Sequence, residues 1–404
     1  MRMNKKEKTA LVPRLRFPEF RESGEWEVKL LGDVTYKVGK KNAKNVAYPI
    51  YSINNKEGFL PQSDQFEGMD SNIRGYDISL YKIIERNTFA YNPARINIGS
   101  LGYSGELNNI IISSLYVCFK TNKIIDDRFL MCFLSTNNFV QAVKNSVEGG
   151  IRNYLFYDNF AKIAVQFPKK QEQQKIADCL SSLDELVTAE NKKLKALKAH
   201  KKGLMQKLFP AEGENVPEWR FPEFRDSVEW EEEMVKNLVS TVTPPKKLLS
   251  SFYKSKGRFP IIDQSQEYIC GWTDDQDALV SDELPLIIFG DHTCILKIVN
   301  QPFAQGADGI KILLADKCVE PTFLYQYLLF VSVKMESYKR HFSTLKEKAV
   351  LFPQKESGEQ QKIADCLSSL DDVITAQAQK IEALKTHKKG LMQGLFPSLE
   401  EVNI

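Results

Sequence analysis

Thirteen consecutive letters of this chain occur twice. EQQKIADCLSSLD fills positions 172–184 and again 359–371, an offset of 187 (359 − 172). HKKGLMQ at 200–206 recurs at 387–393, and LFP at 208–210 recurs at 395–397, both with the same offset. A second repeated element precedes each copy: RFPEF at 16–20 and at 220–224, followed by Trp26 and Trp230, each pair 204 apart. The chain therefore reads as entry motif, variable block, long helix, and then the same three again. The two offsets differ by 17 (204 − 187), so the first variable block is the longer. A period this long is no solenoid. Two such copies can be related by a two-fold axis, so that one chain imitates a homodimer whose halves are free to diverge.

The shared segments carry heptad spacing. In the first copy the apolar positions are Ile176, Leu180, Leu183, Val187, Leu194, Leu197, Leu204 and Leu208, with Glu190 and Lys201 in the two remaining slots. In the second they are Ile363, Leu367, Leu370, Ile374, Ile381, Leu384, Leu391 and Leu395, with Gln377 and Lys388 in the equivalent slots. An a/d pattern sustained over several heptads predicts a coiled coil, and polar residues in its seam fix register at some cost in stability. Phe167-Pro168 precedes the first helix and Phe209-Pro210 stops it, and the second starts near Gly358. Each helix is expected to run for roughly 33 residues, or about 50 Å at 1.5 Å per residue. Paired antiparallel, such helices would hold the variable blocks at opposite ends of the rod and set a half-site separation of one DNA turn, about 34–36 Å, or slightly more. Between positions 191 and 207 lie seven lysines and no acid: Lys192, Lys193, Lys195, Lys198, Lys201, Lys202 and Lys207. Most suit a solvated face, and a few can meet a phosphate backbone.

Each variable block mixes short β-rich runs with turn signals and then a helix. AYPIYSI at 47–53 parallels RFPIID at 258–263, NTFAYNP at 87–93 parallels LPLIIFG at 284–290, and SSLYVCF at 113–119 parallels GIKILL at 309–314. Helices are expected near 127–145 and 322–338. The expected fold is thus α+β: two similar α+β domains joined by two long helices that form an antiparallel coiled coil, pseudo-two-fold symmetric. The segments are 1–166, 167–210, 211–352 and 353–404.

Divergence between otherwise matching blocks fits loops that read different base sequences. Glycines let a backbone approach closely, and Asn and Arg can make bidentate contacts with adenine and guanine edges. In the first block the candidates are Asn92, Arg95, Asn97, Ser100 and Tyr103, then Arg152, Asn153 and Tyr154. In the second they are Asp291, His292 and Thr293, then Gln305 and Asp308, then Tyr338, Arg340, His341 and Thr344.

Catalysis has no footing in these letters. The chain contains no phosphate-binding G-x-x-x-x-G-K-[ST], no G-x-G-x-x-G after a strand, no G-x-S-x-G elbow and no H-E-x-x-H. Asn92-Pro93-Ala94-Arg95 lacks the Asn-Pro-Pro-Tyr pattern with which adenine methyltransferases grip a flipped base. Asp291 beside His292 has no counterpart in the first half, and chain neighbours rarely form an acid–base pair. Seven cysteines, none in a Cys-x-x-Cys pair, point to reduced thiols in a cytoplasmic protein and to no metal site. No run of eighteen apolar residues suggests a membrane span, and the charged start MRMNKKEKTALVPRLRF has no signal-peptide core. With 55 basic and 52 acidic residues the net charge is only +3, so any basic footprint on nucleic acid must be local.

RFPEF with its following tryptophan, a variable domain, and an E-Q-x-K-I-A-x-x-L…L-D segment leading into a long helix together resemble the specificity subunit of type I restriction–modification enzymes. The resemblance covers nearly the whole chain, and Thr188-Ala189-Glu190-Asn191 looks like that family's short spacer element. It implies two target-recognition domains that each read one half of a split double-stranded DNA site, and helices that set the gap. It also implies two methyltransferase subunits docked on this chain, supplying S-adenosylmethionine binding and adenine N6 methylation. Motor–nuclease subunits using ATP and Mg would add translocation and cleavage. No cofactor is expected on this chain itself. A stand-alone sequence-specific DNA-binding regulator and a coiled-coil scaffold without a DNA role are the alternatives.

Overall fold

The computed structural model describes residues 12–55, 57–65, 68–146, 154–281, 283–306, 309–333, 335 and 340–397. Its longest elements are two helices, Lys170–Leu208 and Glu359–Leu395, of 39 and 37 residues. Both exceed the length expected from the heptads, because a turn or more precedes the first seam residue, Ile176 or Ile363. Gly358, at φ +81°, turns the chain into the second helix.

The chain divides into two units, Met1–Ala189 with Ile381–Ile404, and Glu190–Lys380. Each unit therefore takes the first part of one long helix and the last part of the other. In unit 1, strands β1 (Glu27–Leu30), β2 (Thr35–Val38), β3 (Ile50–Asn54), β4 (Gly58–Pro61), β5 (Lys82–Ile84), β6 (Phe89–Tyr91), β7 (Leu101–Tyr103), β8 (Ile110–Ile112), β9 (Val117–Thr121) and β10 (Ala164–Phe167) form three sheets. These are the pair β1-β10 and the four-stranded sheets β2-β9-β6-β7 and β4-β3-β8-β5. Unit 2 has β11 (Glu231–Met234), β12 (Val239–Val242), β13 (Phe259–Ile262), β14 (Gly271–Thr273), β15 (Leu279–Val280), β16 (Leu286–Gly290), β17 (Leu296–Val299), β18 (Phe303–Gln305), β19 (Ile310–Ala315) and β20 (Ala349–Phe352). Their order is β11-β20, β12-β19-β16-β17 and β14-β13-β18-β15, the same topology strand for strand. Even the parallel strand pairing recurs, β3 with β8 and β13 with β18.

Two helix expectations need correction. The stretch 127–145 is two helices, Asp127–Leu134 and Asn137–Ser146. Thr136 divides them: its hydroxyl donates to the Phe133 carbonyl (2.7 Å) and accepts from the Phe139 N–H (3.3 Å), ending one helix and capping the next. The counterpart in unit 2, Pro321–Phe330, starts under a Glu320 cap and ends well before residue 338.

The repeated letters are repeated contacts. The Arg16 guanidinium grips Glu172 through two hydrogen bonds (2.8 and 2.7 Å) and donates to the Gly24 carbonyl. Arg220 grips Glu359 in the same way (2.8 and 2.5 Å) and donates to the Ser227 carbonyl. The next letter ties the long helix to its own unit. Gln173 accepts from the Asp126 N–H and donates to the Pro168 carbonyl, while Gln360 accepts from the Glu320 N–H and donates to the Pro353 carbonyl. Two positions on, Lys175 pairs with Glu19 and lies over the Phe17 ring, as Lys362 does with Glu223 and Phe221. The entry motif is a latch on the start of each long helix.

Within each unit the two long-helix segments run antiparallel. In unit 2, Lys201 donates to both carboxylate oxygens of Asp371 (2.7 Å each), and Glu190 accepts from Gln377 (2.6 Å) and Lys380 (2.5 Å). In unit 1 the equivalent pair, Lys388 and Asp184, meets with the roles of the helices exchanged. The polar slots of the seam are thus filled by partners that satisfy them. Hydrogen bonds from Lys380 and then Gln377 hold the Glu190 carboxyl below its ordinary range. Apolar seam positions are buried or half-buried throughout, with Ile176, Leu180, Leu208, Ile363, Leu367, Ile381 and Leu395 fully inside.

Each core is closed by residues from the far end of a long helix. Leu395 and Phe396 join Trp26, Phe129, Phe133 and Ile176 in unit 1, and Leu208 and Phe209 join Trp230, Phe323, Tyr327 and Ile363 in unit 2. The chain then adds one backbone bond at each end, Leu15 N–H to the Gly394 carbonyl (2.8 Å) and Trp219 N–H to the Lys207 carbonyl (2.9 Å). Gly394 makes room for Leu15, whose side chain an added Cβ would meet at 2.4 Å.

Candidate nucleic-acid interface

The candidate reading loops sit at corresponding places in the two units. In unit 1 the hairpin β6–β7 carries them. Its base is the bond from Asn92 N–H to the Ser100 carbonyl (3.0 Å). Asn92 also accepts from the Ala94 N–H through its side chain (3.0 Å). A short 3-10 turn, Ile96–Ile98, forms the tip and ends on Gly99 at φ +89°, a conformation that L side chains rarely adopt. Ile96 is the anchor, buried in the same core as Phe139 and Val143. Arg95, Asn97 and Ile98 point outward, Ile98 at 59% exposure. The chain at 154–156 comes to the same place, since Leu155 N–H donates to the Pro93 carbonyl (3.0 Å). Beside it Tyr154 stacks on the exposed Phe156 ring (centroids 5.7 Å, 12° between planes). Arg152 and Asn153 lie outside the described residues.

In unit 2 the equivalent hairpin, β16–β17, is closed by Gly290 N–H to the Ile295 carbonyl (2.8 Å). Four residues lie between those two partners, against seven between Asn92 and Ser100. Asp291 takes the position of Pro93. Its carbonyl accepts from the His341 N–H (2.8 Å) as Pro93 does from Leu155, and its N–H donates to the Gly309 carbonyl (2.7 Å). Hairpin 290–294, Gly309 and segment 340–344 thereby converge. Arg340 and Thr344 are exposed, and His292 and Thr293 are half-buried at the hairpin. Asp308 and Tyr338 lie outside the described residues.

Several of the expected contact residues face inward. Asp291 is buried, and its carboxylate accepts from the Phe342 N–H (2.8 Å), capping the helix Phe342–Lys346. His341 is buried where unit 1 has the buried Leu155, with Nδ1 3.2 Å from the Asp291 carbonyl. Ser100 and Gln305 are buried too, their carbonyls accepting from Asn92 and Leu248. Tyr103 is half-buried, its hydroxyl held between Asp127 (2.8 Å) and Asn87 (2.7 Å), and burial with the Asp127 bond pushes its pKa up. Side chains buried or bonded in this way cannot reach a base edge without leaving the interior or breaking internal bonds, which is costly for buried groups. They position loops.

Sequence reasoning passed over Gln264. Its side-chain oxygen accepts from the His292 N–H (3.4 Å), its carbonyl accepts from the Thr293 hydroxyl (2.9 Å), and its amide lies against Gly309, where an added Cβ would come within 2.5 Å. It links the hairpin to Gly309. Lys297, buried on β17 where unit 1 has Gly102, donates to the Asp263 carbonyl (2.8 Å), and burial lowers its pKa. Neither residue stands in a motif, so only the strand pairing reveals them. Among the described residues no group of three or more His, Cys, Asp or Glu is placed to hold a metal ion, and no helix is long and apolar enough to cross a membrane.

Two copies of one domain are also what the comparison with known families finds. The profile of the type I restriction modification DNA specificity domain matches residues 23–199 and again residues 228–386. The chain belongs to that family. The MjaVIII type I restriction enzyme specificity subunit of Methanocaldococcus jannaschii is 25% identical over 98% of this chain and 96% of its own. The HindI specificity subunit of Haemophilus influenzae is 24% identical over 40% of this chain and 36% of its own. Among solved structures, a type I restriction–modification S subunit from M. genitalium matches with a TM-score of 0.64 at 14% identity, over 96% of this chain and 99% of that one. A chain from a study of complex assembly and conformational transition in the type I system matches with a TM-score of 0.54 at 14% identity, over 92% and 98%. These two likenesses concern the fold. The chain is a type I specificity subunit with two target-recognition domains.

Proposed function

We propose that the two hairpins, 92–100 and 290–295, read the two halves of a bipartite double-stranded DNA site in the cytoplasm, while the long helices set the gap between the halves. The observation that supports this most strongly is the contrast between constant and variable parts. The latch residues and the sheet topology repeat and most seam positions keep their letter, while the hairpins at one equivalent place differ in length and in sequence. Arg95 and Asn97 have the donors and acceptors for guanine and adenine edges. Unit 2 offers His292, Arg340 and Thr344 instead, while the Thr293 hydroxyl is bonded to the Gln264 carbonyl. The chemistry belongs to partners in this reading. Two methyltransferase subunits dock on the helices and domain flanks and bring S-adenosylmethionine, and motor–nuclease subunits bring ATP and Mg.

The test is the methylated motif of the genome. Deleting the gene is expected to remove N6-methyladenine from one split motif, and an unchanged methylome with the partner genes expressed sinks the proposal. Inserting four residues after Thr188 adds about 6 Å of helix, and the gap is expected to lengthen by one or two base pairs with both half-sites unchanged. Arg95→Ala with Asn97→Ala is expected to relax one half-site only, by about 1–3 kcal/mol of discrimination per lost base contact. Relaxation of both halves contradicts the division of labour.

A further inference from the structure

Unit 1 contains a cleft of about 780 Å³ between the helix Asn137–Ser146 and the end of the second long helix. One wall is a row of carboxamides, Asn138, Gln141 and Asn145, spaced as one face of that helix. The other wall carries Lys385, Lys388 and Lys389. No Asp or Glu lines it. Lys388 is held in place by Asp184, and Lys385 pairs with Glu382 (2.7 Å) at the surface. Lys389 is exposed and makes no ion pair among the described residues. An exposed Lys389 ammonium without an ion pair among the described residues, beside two lysines whose charge is shared with Asp184 and Glu382, faces a row of amides in a cleft whose lining holds no carboxylate, and such a set is suited to phosphate oxygens.

The position of the cleft identifies the source of that phosphate. The helix Asn137–Ser146 has two faces. Phe139 and Val143, on its buried face, share the core with Ile96, the anchor of the hairpin tip, and the helix packs against that tip. The carboxamide face lies on the other side, so one helix diameter, about 10–12 Å, separates the reading tip from the lysines. Each strand of duplex DNA offers a phosphate about every 3.4 Å along the axis, so a strand read at the tip passes the cleft within a few nucleotides. We propose that this cleft binds the sugar–phosphate backbone flanking the first half-site. The proposal rests on the reading of hairpin 92–100 as the DNA-reading element. The repeat places Lys198, Lys201 and Lys202 at the equivalent positions of the first long helix, with Lys201 held by Asp371 as Lys388 is by Asp184.

The test uses the full chain assembled with its methyltransferase subunits and carrying Lys385→Ala and Lys389→Ala, exposed positions whose loss leaves the fold intact. Dissociation constants are measured for a duplex with the motif and for a scrambled duplex between 50 and 200 mM salt. Each phosphate contact contributes about 0.9 to the slope of log affinity against log salt. The variant's slope is expected to fall by about 1.8, so that it loses about tenfold less affinity than the parent across that range. Both duplexes weaken by the same factor, the methylated motif is unchanged, and Lys→Arg at both positions restores the slope. An unchanged slope overturns the proposal. So does loss of methyltransferase subunits on size exclusion, which would make the cleft a protein-docking site. So does ATP binding by the parent that disappears in the variant while DNA binding is unaltered, which would make it a nucleotide site. The Arg95→Ala, Asn97→Ala variant separates the two readings: if its motif is unchanged while the lysine slope falls, the hairpin reading fails and the backbone cleft stands.

Discussion

Arg16→Ala is expected to lower the stability of unit 1 by about 3–5 kcal/mol, the cost of leaving one member of a buried ion pair without its partner. Arg16 and Glu172 have side chains only 6% and 1% exposed, and Glu172 also lies 3.3 Å from the Trp26 indole nitrogen. With the guanidinium gone, a carboxylate is left in the core beside an indole and the Gly24 carbonyl loses its donor. Replacing both partners, Arg16→Met with Glu172→Met, removes the unpaired charge and is expected to recover most of the loss. Arg220→Ala makes the same cut in unit 2, where Arg220 and Glu359 are 7% and 1% exposed. Urea unfolding followed by hydrogen exchange in segments checks both. A loss below about 1 kcal/mol, the level of a surface pair, shows that the latch is ornamental.

The latch also shows how much of this molecule a reader of its letters can reach. Thirteen identical residues announce a shared structural task, and heptad spacing announces the seam. Even the polar slots are legible, since Glu190, Lys201, Gln377 and Lys388 interrupt an otherwise apolar stripe. What fills those slots is not legible, because Asp371 and Asp184 stand opposite only once two helices are antiparallel in one register. The strand runs AYPIYSI and RFPIID pair off correctly as β3 and β13, since both are apolar runs of similar length placed before a matching β8 or β18.

The reading loops resist for a different reason. Asp291, His292 and His341 look like chemistry in one dimension. In the fold, Asp291 caps a helix and His341 fills the place of a leucine. That substitution of roles depends on the Asp291–His341 bond across fifty residues, and no local pattern marks it. Thr136 was legible in principle, because a threonine before Asn-Asn-Phe is a helix cap as readily as a mid-helix residue.

Phe396→Ala is expected to destabilise unit 1 by about 3–5 kcal/mol, the cost of a large-to-small change in a packed aromatic core. Its ring meets Trp26 (6.2 Å between centroids), Phe129 (5.4 Å) and Phe133 (6.2 Å), and it is 4% exposed. By sequence Phe396 closes the second repeat, yet the core it completes is that of the first. Phe209→Ala is the mirror experiment. Phe209 ends the first long helix and its ring meets Phe323 (5.7 Å), Tyr327 (5.0 Å) and Phe330 (5.3 Å) of unit 2. Hydrogen exchange is expected to rise in β6 and β9 for Phe396→Ala and in β16 and β19 for Phe209→Ala. On warming, the first variant should lose discrimination at the half-site altered by Arg95→Ala and keep the other, and the second variant should do the reverse. If Phe396→Ala instead raised exchange in unit 2, each long helix would be closing the domain that precedes it in the chain. The repeats would then be two self-contained halves, and the exchange of helix ends that makes this chain imitate a dimer would be wrong.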